Sequence, residues 1–217
     1  ILSVFAGPFD MEAVQVVLDW DEAGAARVVS RLVARSLLVA EGVRRSRYRL
    51  LDVVREVIAA QGCSSDEQER TSARHLDWAV DRCKAAAGEL EGSGLEDCVR
   101  ALLADDADLT VAFQRAMDSD DLDRAETMYG SLALHWITSG RFTQAEAWFE
   151  ACRTLADERP LRARTTWAAA LVAVYAGRRT EAAELANQAL EQARAAGDDL
   201  VAARALDVLG FATMPSD

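Results

Sequence analysis

The side chains of this 217-residue chain with the reach to do chemistry are four cysteines, two histidines and a surplus of carboxylates. A metal site needs three or four of them to converge. His75 and Cys83 lie eight positions apart near one helix face with no third ligand at a matching spacing, so they are expected to pack. Cys63, Cys83, Cys98 and Cys152 form no CxxC pair and read as reduced, small apolar residues of a cytoplasmic protein. No G-x-S-x-G elbow and no Cys–His pattern supplies a nucleophile, and His135 beside Trp136 reads as a packing residue. Asp105, Asp106 and Asp108, like Asp118, Asp120 and Asp121, fall at expected helix starts and turns, where carboxylates cap backbone amides. A P-loop is absent; Lys84, the one lysine, lies in an expected helix, and Gly92-Ser93-Gly94 reads as a linker. The expectation is a non-enzyme with no metal and no cofactor of its own.

Arginine offers a second kind of chemistry. Arg27, Arg31 and Arg35 recur every four residues, opposite an apolar stripe of Ala25, Val29, Leu32 and Val33. Arg44, Arg45, Arg47 and Arg49 crowd the segment that follows. A helix and a wing with these charges could meet phosphates and base edges, although Asp19, Asp21, Glu22 and Glu41 dilute the patch. The net charge of −12 repels nucleic acid and anionic lipid from the molecule as a whole. It is uneven: positions 1–62 hold eight arginines and eight acids, so the remainder carries the whole excess. No stretch approaches the ~18 apolar residues of a membrane span.

The elements that must position these residues follow from periodicity. Asp10 suits an N-cap for a helix bearing Met11, Val14, Val17 and Leu18, and a second helix should run from Asp21–Glu22 to about Arg35. Leu37–Val39 and Arg47–Leu50 read as a β-hairpin, and Val53, Val54, Val57 and Ile58 give a third helix ended by Gly62. Helix, helix, hairpin, helix is a winged-helix arrangement. Beyond it, Ser65 and Gln68 suggest a capping box, with a helix to about Ala87 and another over Leu95–Ala104. Leu134–Gly140 superposes on Leu171–Gly177, and each glycine is followed by a helix bearing a small residue, Ala145 or Ala182. The 37-position offset is that of a helical-hairpin repeat. Leu206-Asp-Val-Leu-Gly210 opens a third copy.

Three segments carry a family resemblance: Leu2–Phe9, Leu32–Val39 and Tyr48–Arg55. They resemble the winged helix of NB-ARC, or STAND, signal-transducing ATPases, above all large bacterial LuxR-type transcriptional regulators. Asp105–Leu109 through Trp136 to Trp148 resembles the segment that joins winged helix to repeats in those regulators, and the repeats resemble tetratricopeptide repeats. The resemblance implies an upstream nucleotide-binding domain that takes ATP or ADP, over which the winged helix closes as a lever. Many members carry Met-His-Asp near its end; here the matching residues are Leu50-Leu51-Asp52, with leucine for the histidine.

The expected fold is therefore mainly α, with a winged-helix domain at 1–62, a helical adaptor at 63–120 and tetratricopeptide-like repeats forming an α-α superhelix at 121–217. Ile1 opens in mid-apolar segment and the chain closes just after a helix begins, which predicts a piece of something longer. Asp52 and Arg55 are expected to contact the nucleotide domain, and Tyr129, Trp136, Trp167 and Tyr175 to line or support the repeat groove. The groove would take a protein, peptide or inducer, oligomerisation is open, and DNA would be reached only through another, output domain. A DNA-reading winged helix, using Arg27, Arg31, Arg35, Arg44, Arg45 and Arg47, is one alternative; a stand-alone repeat scaffold is another.

Overall fold

The computed structural model describes residues 1–41, 47–61 and 65–214. A 3-10 turn at Leu2–Val4 precedes α1 (Met11–Leu18), α2 (Glu22–Ala34), β1 (Leu38–Glu41), β2 (Arg47–Leu50) and α3 (Asp52–Gln61). Then come α4 (Ser65–Glu89), α5 (Leu95–Asp118), α6 (Leu122–Ser131), α7 (Ala133–Thr138), α8 (Phe142–Ala156), α9 (Ala163–Tyr175), α10 (Arg179–Ala196) and α11 (Asp199–Thr213). The fold is mainly α, with one hairpin and a repeat-like helical region.

Contacts divide the chain into two compact units, Ile1–Arg82 with Arg100–Arg115, and Cys83–Val99 with Ala116–Asp217. In the first, Asp10 and Asp21 cap α1 and α2 by accepting from the amides of Ala13 (2.9 Å) and Gly24 (2.7 Å). β1 and β2 pair antiparallel with Leu38 opposite Leu50, and Phe9 adds a bridge to Tyr48. Phe5, Phe9, Val14, Val17, Ala25, Val29, Leu38 and Leu50 make the core; Val14, Val17, Ala25 and Val29 come from the stripes that helical spacing predicts, while Met11, Leu32 and Val33 of those stripes are only partly buried. Gly62, Ser64 and the side chain of Ser65 lie outside the described residues, and with them the expected third-helix stop and capping box.

One expectation is corrected here. The sequence suggests a helix ending near Ala104 and a new start at Asp105, yet α5 runs unbroken from Leu95 to Asp118. Asp105 and Asp108 are therefore mid-helix and buried, not caps. Partners far away in sequence neutralise them, as described below. Asp121 does cap a helix, accepting from the Arg124 amide at 3.0 Å.

In the second unit, α9 is buried on almost every side because α6, α7, α8, α10 and α11 all pack on it. Gly140 and Gly177 occupy equivalent turns with φ of 69° and 80°, a left-handed backbone that explains why the sequence repeats a glycine there. Ala145 and Ala182, one turn later, have no exposed surface, as close packing between helices of a hairpin requires.

Candidate functional site

Three residues, Asp19 to Asp21, separate α1 from α2, so α2 stands where a helix-turn-helix carries its recognition helix. Ala25 and Val29 pin one face of α2 to the core. The opposite face presents Arg27, Arg31 and Arg35 to solvent, with no side-chain partner among the described residues. Arg44 and Arg45 lie outside the described residues. Arg49 donates to Glu41 at 2.8 Å, and that exposed pair raises its pKa.

Arg47 does not stand with these surface charges. Its guanidinium donates to the Pro8 carbonyl (2.6 Å) and to the Asp105 carboxylate, which also accepts from Arg82 at 3.1 Å. Burial pushes the Asp105 pKa up, and the two guanidiniums pull it back.

The lead-in from Phe5 to Phe9 is stitched at every step. Phe9 and Tyr48 exchange both backbone hydrogen bonds, at 2.9 and 2.7 Å. Arg55 donates to the carbonyls of Phe5 and Ala6, the latter at 3.3 Å. The amides of Ala6 and Gly7 donate to the Asp108 carboxylate at 2.7 and 3.2 Å. Asp108 also faces His75, whose Nε2 is 3.0 Å away. Arg115 can only donate, so His75 Nδ1 accepts from it at 2.8 Å and Nε2–H is left to donate to Asp108. Gly7 permits the approach: a Cβ there would sit 3.1 Å from the Ala107 Cβ and 3.3 Å from Asp108 Oδ2.

A family model for a winged helix-turn-helix domain matches residues 1–60. Three relatives named as candidate HTH-type transcriptional regulators, two from Mycobacterium tuberculosis strains and one from Mycobacterium bovis, are 28% identical over 226 aligned positions. The match covers 96% of this chain and 25% of each relative, so the chain spans about a quarter of their length. No solved structure matches the chain. Residues 1–60 are thus similar to a winged helix-turn-helix domain, and the chain as a whole is similar to a quarter of each of these relatives.

The remaining residues singled out from the sequence are dispersed. Arg55 binds the lead-in of its own unit, while Asp52 is exposed in the first turn of α3. Leu50 is in the core, so Leu50-Leu51-Asp52 offers a nucleotide phosphate no donor side chain. Tyr129 and Trp136 are wholly buried, stacked with ring centroids 6.1 Å apart, and Trp136 Nε1–H donates to the Tyr129 carbonyl at 3.3 Å. Trp167 is buried under the Arg204 guanidinium, 5.0 Å from its ring centre. Tyr175 is 59% exposed.

Sequence reasoning missed Glu126. It is buried on α6 and accepts from the Arg162 amide (2.6 Å) and the Arg159 guanidinium (2.9 Å), tying α6 to the connection between α8 and α9. It also missed a cavity of ≈ 490 Å³ lined by residues of α6, α8, α9 and the start of α10, with Tyr129 and Phe149 among them. No group of metal-competent side chains occurs among the described residues, and no helix there is long and apolar enough to cross a membrane.

Proposed function

We propose that this chain is the relay and sensor portion of a multidomain transcriptional regulator. The winged helix passes on the switch of a nucleotide-binding domain elsewhere in the same protein. The tetratricopeptide-like repeats receive an inducer or partner, and the portion itself is non-catalytic. The observation that carries this reading is the inward commitment of Arg47 to Asp105, together with the clamp of Asp108 on Ala6 and Gly7. A DNA-reading wing keeps its cations for phosphates. Here the cation at the base of the wing and the segment leading into α1 are both fastened to α5, so a displacement of the lead-in is felt along that helix. Such a relay works only if its states differ in affinity for the inducer.

The row of Arg27, Arg31 and Arg35 favours a second reading, in which α2 itself meets DNA. Titration of the chain against labelled duplex DNA at low and physiological salt separates the two. The relay reading expects no binding even at low salt. Binding that weakens steeply with salt and vanishes in the Arg27→Ala/Arg31→Ala/Arg35→Ala variant would replace it with the second reading. The sensor half is tested by melting the chain against a panel of small molecules and peptides; no shift from any member would refute it.

A further inference from the structure

We infer that a cavity in the first unit, where the lead-in meets α3, α4 and α5, binds a small oxyanion, a carboxylate or a phosphate, carried on a short apolar body. The cavity measures ≈ 250 Å³, and every residue that lines it belongs to that unit. It lies outside the repeats, and the site stands whether or not the unit relays a switch. Val4 of the lead-in and Ile58 of α3 supply apolar lining for the body of a ligand. Arg55 of α3 and Arg115 of α5 supply two guanidiniums for its head. A volume of this size suits a small molecule rather than a folded partner.

Charge selects the kind of ligand. The two guanidiniums face one carboxylate in the lining, Glu67, which is exposed and pairs with no described residue. Arg55 donates to the neutral carbonyls of Phe5 and Ala6, and no carboxylate among the described residues stands at ion-pair distance from it. A guanidinium carries five N–H donors in a fork that matches an oxyanion, so Arg55 can take the ligand and keep the lead-in. Arg115 donates to His75 Nδ1 at 2.8 Å. Burial holds the Arg115 pKa below its usual value, and the charge of Asp108 opposes that only in part. An oxyanion in the cavity acts in the same direction as Asp108. Around the two cations, Ser3, Ser72 and Gln68 bring hydroxyl and amide donors whose side chains no described residue engages. An ammonium ligand would meet two like charges for a single carboxylate.

Calorimetry on the whole chain at low salt, with isovalerate, isobutyl phosphate and neutral isovaleramide, tests this. The better of the two anions should bind at least about tenfold more tightly than the amide, and it names the oxyanion. Arg55→Gln should remove that preference. Glu67→Gln, a change at an exposed position, should tighten the anion by removing the one opposing charge. Ser72→Phe should abolish binding while circular dichroism and melting show the fold retained. Should Arg55→Gln or Ser72→Phe fail to fold, Glu67→Gln decides alone. Amide binding as tight as that of the anions, no gain in Glu67→Gln, binding that survives Ser72→Phe, or silence from all three probes would overturn the assignment.

Discussion

His75 Nε2 lies 3.0 Å from Oδ1 of Asp108, and neither side chain reaches solvent. One residue belongs to α4 and the other to α5, and the same carboxylate accepts from the amides of Ala6 and Gly7. A single buried charge thus holds two long helices and the entry to the winged helix. Its neighbours make this tolerable, because three donors and a guanidinium one step beyond surround what would otherwise be an isolated anion.

Asp108→Ala is expected to cost about 3–5 kcal/mol, the toll of leaving buried donors without an acceptor. Urea unfolding followed by tryptophan fluorescence measures it. A loss below about 1 kcal/mol would mean that water replaces the carboxylate freely.

Gly7→Val should destabilise the same unit by about 1–3 kcal/mol, since its Cβ would meet Ala107 and Asp108 inside ordinary contact distance. The readout is the melting temperature, with Gly88→Ala as a control at an exposed helical position where an added Cβ meets nothing. Equal melting of the Gly7 variant and the parent chain would show that the lead-in can lift without consequence.

These two positions also mark the boundary of what the sequence makes legible. Asp10 and Asp21 are recognisable as caps because their partners lie three residues ahead, and the core stripe of α1 and α2 follows from helical spacing alone. Asp105 and Asp108 look like caps for the same local reason. Their actual partners, Arg47 and the Ala6 and Gly7 amides, are more than fifty positions away, and only the folded chain brings them near. Tyr129 and Trp136 are conspicuous aromatics on first helices of a repeat, but periodicity alone does not say that both turn inward while Tyr175 turns out. The two repeat glycines are legible because a left-handed turn admits few other residues.

Glu126→Ala should weaken the second unit by about 3 kcal/mol by stranding Arg159 and the Arg162 amide. Glu126→Gln keeps an acceptor for the amide and is expected to cost less. Reversal of that order in thermal melts would contradict the pairing.

Alkaline pH gives a separate test. Burial pushes the Cys152 thiol up to about 12, whereas an unfolded cysteine titrates near its ordinary value of 9.0. Between those values the native chain holds a proton that the unfolded chain has lost, so stability present below pH 9 falls as pH rises towards 12. Burial raises the Tyr129 phenol too, which steepens the fall above pH 10. Urea midpoints should therefore drop between pH 9 and pH 11, and Cys152→Ala should flatten the early part of the curve. In the native chain at pH 8, iodoacetamide should leave Cys152 unmodified.

Native-state hydrogen exchange on the whole chain tests the relay most directly. The amides of Ala6, Gly7 and Phe9, the Tyr48 amide on β2 and the α5 amides around Asp108 should open with one shared free energy, and Asp108→Asn should lower all of them together. Lead-in amides that exchange at far lower energy, with β2 and α5 unaffected by the substitution, would show that nothing passes from the lead-in to α5.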